Sequence, residues 1–412
     1  VLAEDAAPPA RGARGAFAPL RERNFRLLWT GLLISQTGSW MQFIALGYLV
    51  DQLTRAPVYL GLLGLSQAVP RLLFAFIGGV AADRFDRRRV LMVTNNAMMA
   101  SAFLLAYLAY ADRVAVWHVL AIGAFNSLAN AFDNPARQSL VPMLIGERHL
   151  ISALSLTSMA LNGSGVFGPS LGGVVIAFAG VKGCFFLNAV SFLAVVVALL
   201  RMEFPPPEPT GRASVGRDIR EGIGLLTRHR NLAAVLAIIA VMNFFGRPYV
   251  RLMPAMAREV LRVGPQGLGI LQASPPVGTI LAVFIISAVG ATMRYSRLML
   301  TAAVATGLIV VLFALSKVFW LSIVLLIAAG TGTSVANAAA NTLVQTTVQP
   351  AQRGRVMGLY NMTTFGMFAL GTLPIGALAG VVGTSYALAI GGALSAILIA
   401  VLALLSPRVA AL

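Results

Sequence analysis

The 412-residue chain has one cysteine, two lysines, three histidines, and no Asp or Glu beyond Glu259. With Cys184 alone, no disulfide and no cysteine-based metal site can form within one chain, and the redox compartment stays unread. His118, His149 and His229 are scattered near the ends of apolar runs. They support neither a metal site nor a histidine dyad. Neither Lys182 nor Lys317 completes a Gly-x-x-x-x-Gly-Lys loop, so ATP is not the direct energy source. Charged residues are 11% of the chain against about 25% in soluble domains, which excludes a soluble enzyme. No cofactor and no metal are expected.

What is there is apolar. Hydrophobic residues make up 58%, with 40 Gly and 20 Pro set inside apolar stretches. That is the composition of a chain that uses lipid as its solvent. The formal charge of +17 does not make it a nucleic-acid binder, because arginines in loops on one side of a membrane serve topology. Runs bounded by charge or Gly/Pro punctuation predict twelve spans. The first six are 24 to 50, 57 to 82, 89 to 110, 114 to 136, 150 to 178 and 183 to 201. The second six are 231 to 256, 266 to 290, 297 to 315, 319 to 345, 355 to 381 and 384 to 405. The expected partners are membrane lipids and a small-molecule substrate, and a monomer is expected.

Residues 202–230 are the one long polar segment, with Pro205-Pro206-Pro207 and an amphipathic stretch around Val215 to Leu226. They read as a cytoplasmic linker between bundles at 21–201 and 231–412. Residues 1–20, with Pro8, Pro9, Arg11 and Arg14 and no apolar core, read as a disordered cytoplasmic tail rather than a signal peptide. The connections on one side and both termini carry 22 of the 31 basic residues. This predicts a multi-pass protein of the inner (plasma) membrane with both termini cytoplasmic. The halves also repeat: Gly64-Leu65-Ser66-Gln67-Ala68-Val69-Pro70 matches Gly269-Ile270-Leu271-Gln272-Ala273-Ser274-Pro275, and Gly173 and Gly180 match Gly376 and Gly383. A six-helix unit used twice in the same orientation implies two bundles around a central cavity.

Gly79-Val80-Ala81-Ala82-Asp83-Arg84-Phe85-Asp86-Arg87-Arg88 resembles the signature loop of the major facilitator superfamily, departing at Asp86, where glycine is usual. The resemblance implies a gate in which Gly79, Asp83, Arg84, Arg87 and Arg88 meet the start of helix eleven, here Gln352-Arg353-Gly354-Arg355. Asp83 and Arg87, four residues apart, can pair locally and cap a facing helix. A solvated basic loop that fixes topology is the plainer reading of the same residues. Gly168-Pro169-Ser170-Leu171-Gly172-Gly173 resembles the core of a motif associated with exporters, and close helix packing accounts for the same composition.

Four further stretches, Ser35–Trp40, Asp133–Gln138, Met253–Leu261 and Arg353–Val356, together resemble the enterobactin-exporter and macrolide-efflux branch, which is similar to drug–proton antiporters. The resemblance implies an all-α membrane protein of twelve transmembrane helices in two pseudo-symmetric six-helix bundles. It carries the fold well and the ligand poorly. In related transporters an acid at the place of Asp133 braces the signature-loop arginine, so Asp133 is expected to pair with Arg87, a proton site being the alternative.

Arg71 stands 14 residues after Pro57 and 11 before Ala82, near mid-bilayer at ~1.5 Å per residue. It is expected to face the cavity beside Gln67, with an internal pair to Asp51 as the alternative. Arg247 and Arg251 share a face of helix seven with Asn243, and either line the cavity or pair with Glu259. Gln36, Trp40, Asn130, Gln272, Asn337, Asn341 and Tyr360 complete the candidate binding set, with helix-to-helix bonding the plainer role for each. The second half lacks acids beyond Glu259, so weak or absent proton coupling is expected. The reading is a transporter, not an enzyme, that exports an amphipathic and anionic molecule by alternating access. The rivals are a proton-coupled multidrug or macrolide pump, a lipid or lysolipid flippase, and a receptor-like protein that retains the fold without turnover.

Overall fold

The computed structural model describes residues 17–145, 149–202, 230–289, 294–349 and 352–405. The expected linker up to residue 229, and the tail before residue 17, lie outside them. Every regular element among the described residues is a helix. After a short 3-10 turn, α1 (Arg23–Thr54) runs until Arg55, whose left-handed backbone (φ 49°) returns its N–H to the carbonyl of Asp51. Then come α2 (Pro57–Arg84), α3 (Arg87–Tyr110) and α4 (Val116–Leu144). The run Leu150–Arg201 breaks at Gly180 (φ 68°, ψ −178°) into α5 (150–179) and α6 (181–201).

The second half holds α7 (Asn231–Leu261), α8 (Pro265–Val289), α9 (Tyr295–Leu315), α10 (Phe319–Thr347), α11 (Arg353–Val382) and α12 (Thr384–Leu405). Gly383 (φ 87°) separates α11 from α12 as Gly180 separates α5 from α6. Only glycine takes these angles without strain, so the repeated glycines mark one joint built twice. Nine runs among the described residues are long and apolar enough to cross a membrane, Leu150–Arg201 counting once, and neither α1 nor α4 is among them.

Packing repeats with the sequence. α2 lies on α4 as α8 lies on α10, and α3 lies on α4 as α9 lies on α10. The bundles meet where α2 crosses α11 and α5 crosses α8. Glycines make both crossings close. A Cβ on Gly376 would lie 3.3 Å from the Cα of Gly61, and one on Gly269 would lie 3.0 Å from the Cα of Gly173.

One apolar core runs through both bundles at the end away from Arg23 and Leu405, with Leu49, Leu60 and Phe185 meeting Met253, Leu271 and Ile375. At the other end each bundle closes its own core. Phe25, Leu140 and Leu199 fill one, and Leu232, Met299 and Val344 fill the other. Among the described residues no packed interface joins α4 to α10. The bundles are thus closed at one end and parted at the end where the described chain starts and stops.

Candidate functional site

A cavity of about 450 Å³ lies between the bundles, a volume that suits a small organic molecule. Its walls follow the helical spacing of three or four, since residues so spaced share a face. α1 presents Gln36, Trp40 and Phe43, α2 presents Gln67 and Arg71, and α4 presents Asn126, Asn130 and Asn134. From the second bundle, α7 adds Arg247 and Arg251, and α11 adds Phe365, Phe368 and Thr372. These polar stripes are why α1 and α4 are less apolar than a lipid-facing helix.

Among the described residues, three guanidinium groups face this space and no carboxylate lines it. Arg71, midway along α2, is exposed into the cavity, and no described residue bonds to it. Arg251 donates to Oε1 of Gln67 at 2.5 Å and lies 4.4 Å over the ring of Phe43, leaving its Nε without an acceptor. Arg247 donates to Oδ1 of Asn243 at 3.1 Å and lies 4.9 Å over the ring of Phe368. Amides and ring faces hold a guanidinium in place without neutralising it.

The backbone of α7 aims these two side chains. Met242–Gly246 and Ala257–Leu261 are π turns on either side of Tyr249–Met256. A π turn inserts a residue and re-aims the face that follows, which is why such turns recur at functional sites. Pro248, without an N–H, comes just after the first one. From this irregular stretch Arg247 enters the cavity and Arg251 reaches across it to the first bundle.

Of the expected binding residues, Gln36, Trp40, Gln67, Arg71, Asn130 and Arg247 line the cavity. Asn243 stands behind it as the acceptor for Arg247. Gln272 lies off it, beside Phe43 and Arg251, and donates to the carbonyl of Val250 at 3.0 Å. Tyr360 donates to the carbonyl of Asn337 at 2.9 Å, and Asn341 accepts from Gln345. These three lie outside the cavity, where the Tyr360 bond braces α11 on α10. Gln42, Asn188, Phe365, Phe368 and Thr372 line it and carry no motif, and Gln42 accepts from Asn188 at 2.6 Å. The spacing of Asn126, Asn130 and Asn134 on α4 is the signal that sequence offers for this wall.

The alternative pairs for the embedded arginines are not formed. Asp51 is taken by Arg258 across the bundles, at 2.6 and 2.9 Å. Glu259 accepts from Arg258 at 3.0 Å and from Thr384 at 2.6 Å.

At the parted end the signature loop differs from the spacing argument. α2 stops at Arg84, Phe85 is extended, and Asp86 caps α3 by accepting the N–H of Arg88 at 2.9 Å. Asp83 and Arg87 therefore belong to different helices, and one-turn pairing within a single helix does not apply to them. The side chain of Asp83 lies outside the described residues. Arg87 donates to Sδ of Met143 and its buried Nε has no partner. Arg84 is exposed, and Arg88 donates to the carbonyl of Leu200.

The expected Asp133–Arg87 pair is corrected. Asp133 is buried on α4, paired with Arg137 and accepting from Thr94 at 3.1 Å and Asn95 at 2.7 Å. Arg137 is one turn along the same helix, so the local partner wins. Gly79 has open space around it, whereas a Cβ on Gly168 would lie 2.9 Å from the carbonyl of Thr37 on α1. The carbonyl of Pro169 meets Gly269 of α8, so that motif packs α5 on both bundles.

Residues 14–412 match the family described as transmembrane secretion effectors. The enterobactin exporter EntS of Citrobacter koseri is 23% identical over 354 residues, covering 86% of this chain and 85% of that protein. An uncharacterized MFS-type transporter of Bacillus subtilis, YfiS, is 27% identical over 405 residues, covering 94% and 95%. Among solved structures, an inward-facing, occupied bacterial homolog of the human lysosomal transporter Spinster superposes with a TM-score of 0.77 at 12% identity, covering 95% of this chain and 97% of that one. The nucleoside transporter NupG superposes with a TM-score of 0.71 at 15% identity, covering 93% and 98%. Those structures share the fold, and the family match extends over nearly the whole sequence. The chain belongs to the transmembrane secretion effector family of the major facilitator superfamily and is a multi-pass membrane transporter.

Proposed function

We propose that this transporter exports an amphipathic organic anion by alternating access. The observation that carries the reading is a cavity that the described residues line with three guanidinium groups, several aromatic rings and no carboxylate. A carboxylate, phosphate or catecholate can accept two parallel hydrogen bonds from Arg71, a geometry that a lysine ammonium cannot match. Trp40, Phe365 and Phe368 offer ring surface to an apolar body, and Gln36, Gln67 and Asn130 offer amides to its polar edge. The likeness to enterobactin exporters supports the outward direction. The basic loops support a bacterial inner membrane with both termini inside, so the parted end would load from the cytoplasm. After switching, Asp83, Arg84, Arg87 and Arg88 would meet the start of α11 at Arg353 and seal that end.

The test uses two probes with one ring system and opposite charge, 1-naphthoate and 1-naphthylmethylammonium. Purified protein should bind the anion and ignore the amine. Arg71→Ala should lose about 2–5 kcal/mol, or roughly 30-fold to several thousand-fold in affinity, and Arg71→Lys should fall between. Calorimetric titration gives the affinities, and a size-exclusion profile checks that the variants fold. A folded Arg71→Ala protein with wild-type affinity for 1-naphthoate, or a wild type that prefers the amine, would sink the reading.

A further inference from the structure

We infer that the carrier is an anion exchanger: it changes sides only with an anion in its cavity, so that each export step is matched by entry of a second anion. The inference rests on reading the cavity as an anion site. Each carboxylate described within the helical core is engaged elsewhere. Asp51 is held by Arg258, Glu259 by Arg258 and Thr384, and Asp133 by Arg137, Thr94 and Asn95. None of them lines the cavity with Arg71, Arg247 and Arg251, and a guanidinium stays protonated.

In the parted state, water and small ions reach these groups from the open end and screen them. During a switch both ends narrow on the cavity and that screening leaves. Three like charges then stand in a medium of low dielectric, where an unpaired charge is at its most costly. Arginine cannot relieve this by shedding its proton. A bound anion can, so the loaded carrier passes the barrier and the empty one is held back.

Arg251 supplies a second, geometric link. Its guanidinium reaches from α7 to Gln67 on α2 and lies on Phe43 of α1, so it bridges the bundles. An anion that draws Arg251 toward Arg71 loosens that bridge as it neutralises the pair. Binding and release of the closed end are therefore coupled through one side chain.

The experiment reads the switch with and without ligand. On a Cys184→Ser background, spin labels at Asp112→Cys and Lys317→Cys, exposed positions at the closed end of each bundle, report the gap between the bundles. Ligand-free wild type in low-salt HEPES buffer should show one short distance, and 1-naphthoate should add a longer one. Arg71→Gln with Arg251→Gln should populate the longer distance without ligand, about tenfold above wild type. Arg71→Lys with Arg251→Lys keeps the charge and should behave as wild type, which separates charge from packing.

The flux arm uses proteoliposomes loaded with radiolabelled 1-naphthoate, with the potential clamped by potassium and valinomycin. Efflux should be about tenfold faster with 1-naphthoate outside than without it. Ligand-free wild type that already samples both distances as freely as the double-Gln variant overturns the exchange. So does equal efflux into both media while 1-naphthoate still binds through Arg71, a result that leaves the anion site standing. If 1-naphthoate neither binds nor moves, the anion-site reading falls and the exchange falls with it, whatever distances the double-Gln and double-Lys variants show.

Discussion

The closed end and the parted end of this transporter satisfy their polar groups in opposite ways. At the closed end partners come from different bundles: Arg258 of α7 grips Asp51 of α1, and glycines on α2 and α5 receive α11 and α8. At the parted end the described partners come from the same bundle. Asp133 bonds within α3 and α4, Asp86 caps its own helix, and Arg88 reaches a carbonyl of α6. The difference explains how the bundles can separate there without stranding charge, since each carries its own counter-groups. Arg87 is the exception, with a buried Nε that no described group accepts. An unsatisfied buried donor is costly, and in the proposed cycle it is met when the gate closes on α11.

The comparison breaks most visibly at Arg258. Arg258→Ala leaves Asp51, whose side chain is 4% exposed, without its partner. Removing one member of a buried pair costs about 3–5 kcal/mol, and the 36% exposure of the Arg258 side chain discounts this toward the lower end. The closed end should therefore open in a fraction of molecules larger by two orders of magnitude or so, read as a longer distance between labels at positions 112 and 317. Asp133→Asn makes a comparable chemical change at the parted end. It should lower thermal stability yet leave that distance where it is. Equal effects of the two substitutions on the distance would erase the distinction between the ends.

A smaller effect is expected where glycines let the bundles touch. A Cβ on Gly173 would lie 2.5 Å from the carbonyl of Pro265 and 3.0 Å from the Cα of Gly269, while one on Gly79 meets nothing. Gly173→Ala should cost about 1–3 kcal/mol by overpacking and widen the closed end. Gly79→Ala should stay within about 0.5 kcal/mol in this state. Denaturation in detergent and the same label distance measure both, and a neutral Gly173→Ala would mean that the crossing yields easily.

The repeated glycines were open to sequence reasoning because both the joint at Gly180 and the crossing at Gly173 recur in the second half at Gly383 and Gly376. The twelve runs and the signature loop were equally open, since length, charge and punctuation lie in local sequence. Partner choice was not. Asp51 and Arg258 are 207 residues apart, and nothing in either neighbourhood names the other. Asp133 teaches the reverse lesson: its partner lies in the same motif, one turn along, and family likeness pointed away from it to Arg87. One wall of the cavity was readable as amides in helical register on α4. The aromatic wall from Phe365 and Phe368 was not, because a phenylalanine in an apolar helix looks the same whether it meets lipid, core or ligand.

The smallest expected effect concerns Asp86, the residue that stands where the superfamily usually has glycine. Its carboxylate accepts the N–H of Arg88 and lies 3.8 Å from the exposed guanidinium of Arg89. An exposed pair at that distance contributes little, so the cap is the larger part. Asp86→Ala should then cost about 1 kcal/mol, Asp86→Asn less because the amide oxygen still accepts, and Asp86→Gly only a few tenths, since glycine is itself tolerated at an N-cap. In a protein of this length the shift in midpoint is roughly 1–3 °C, so the series must be compared in one preparation. The order matters more than the size. Asn closer to wild type than Ala assigns the role to the cap, which ties the loop to α3 in every state of the cycle. Asn as damaging as Ala would assign it to the negative charge, and the loop would then answer to salt and to whatever basic group the gate brings near it.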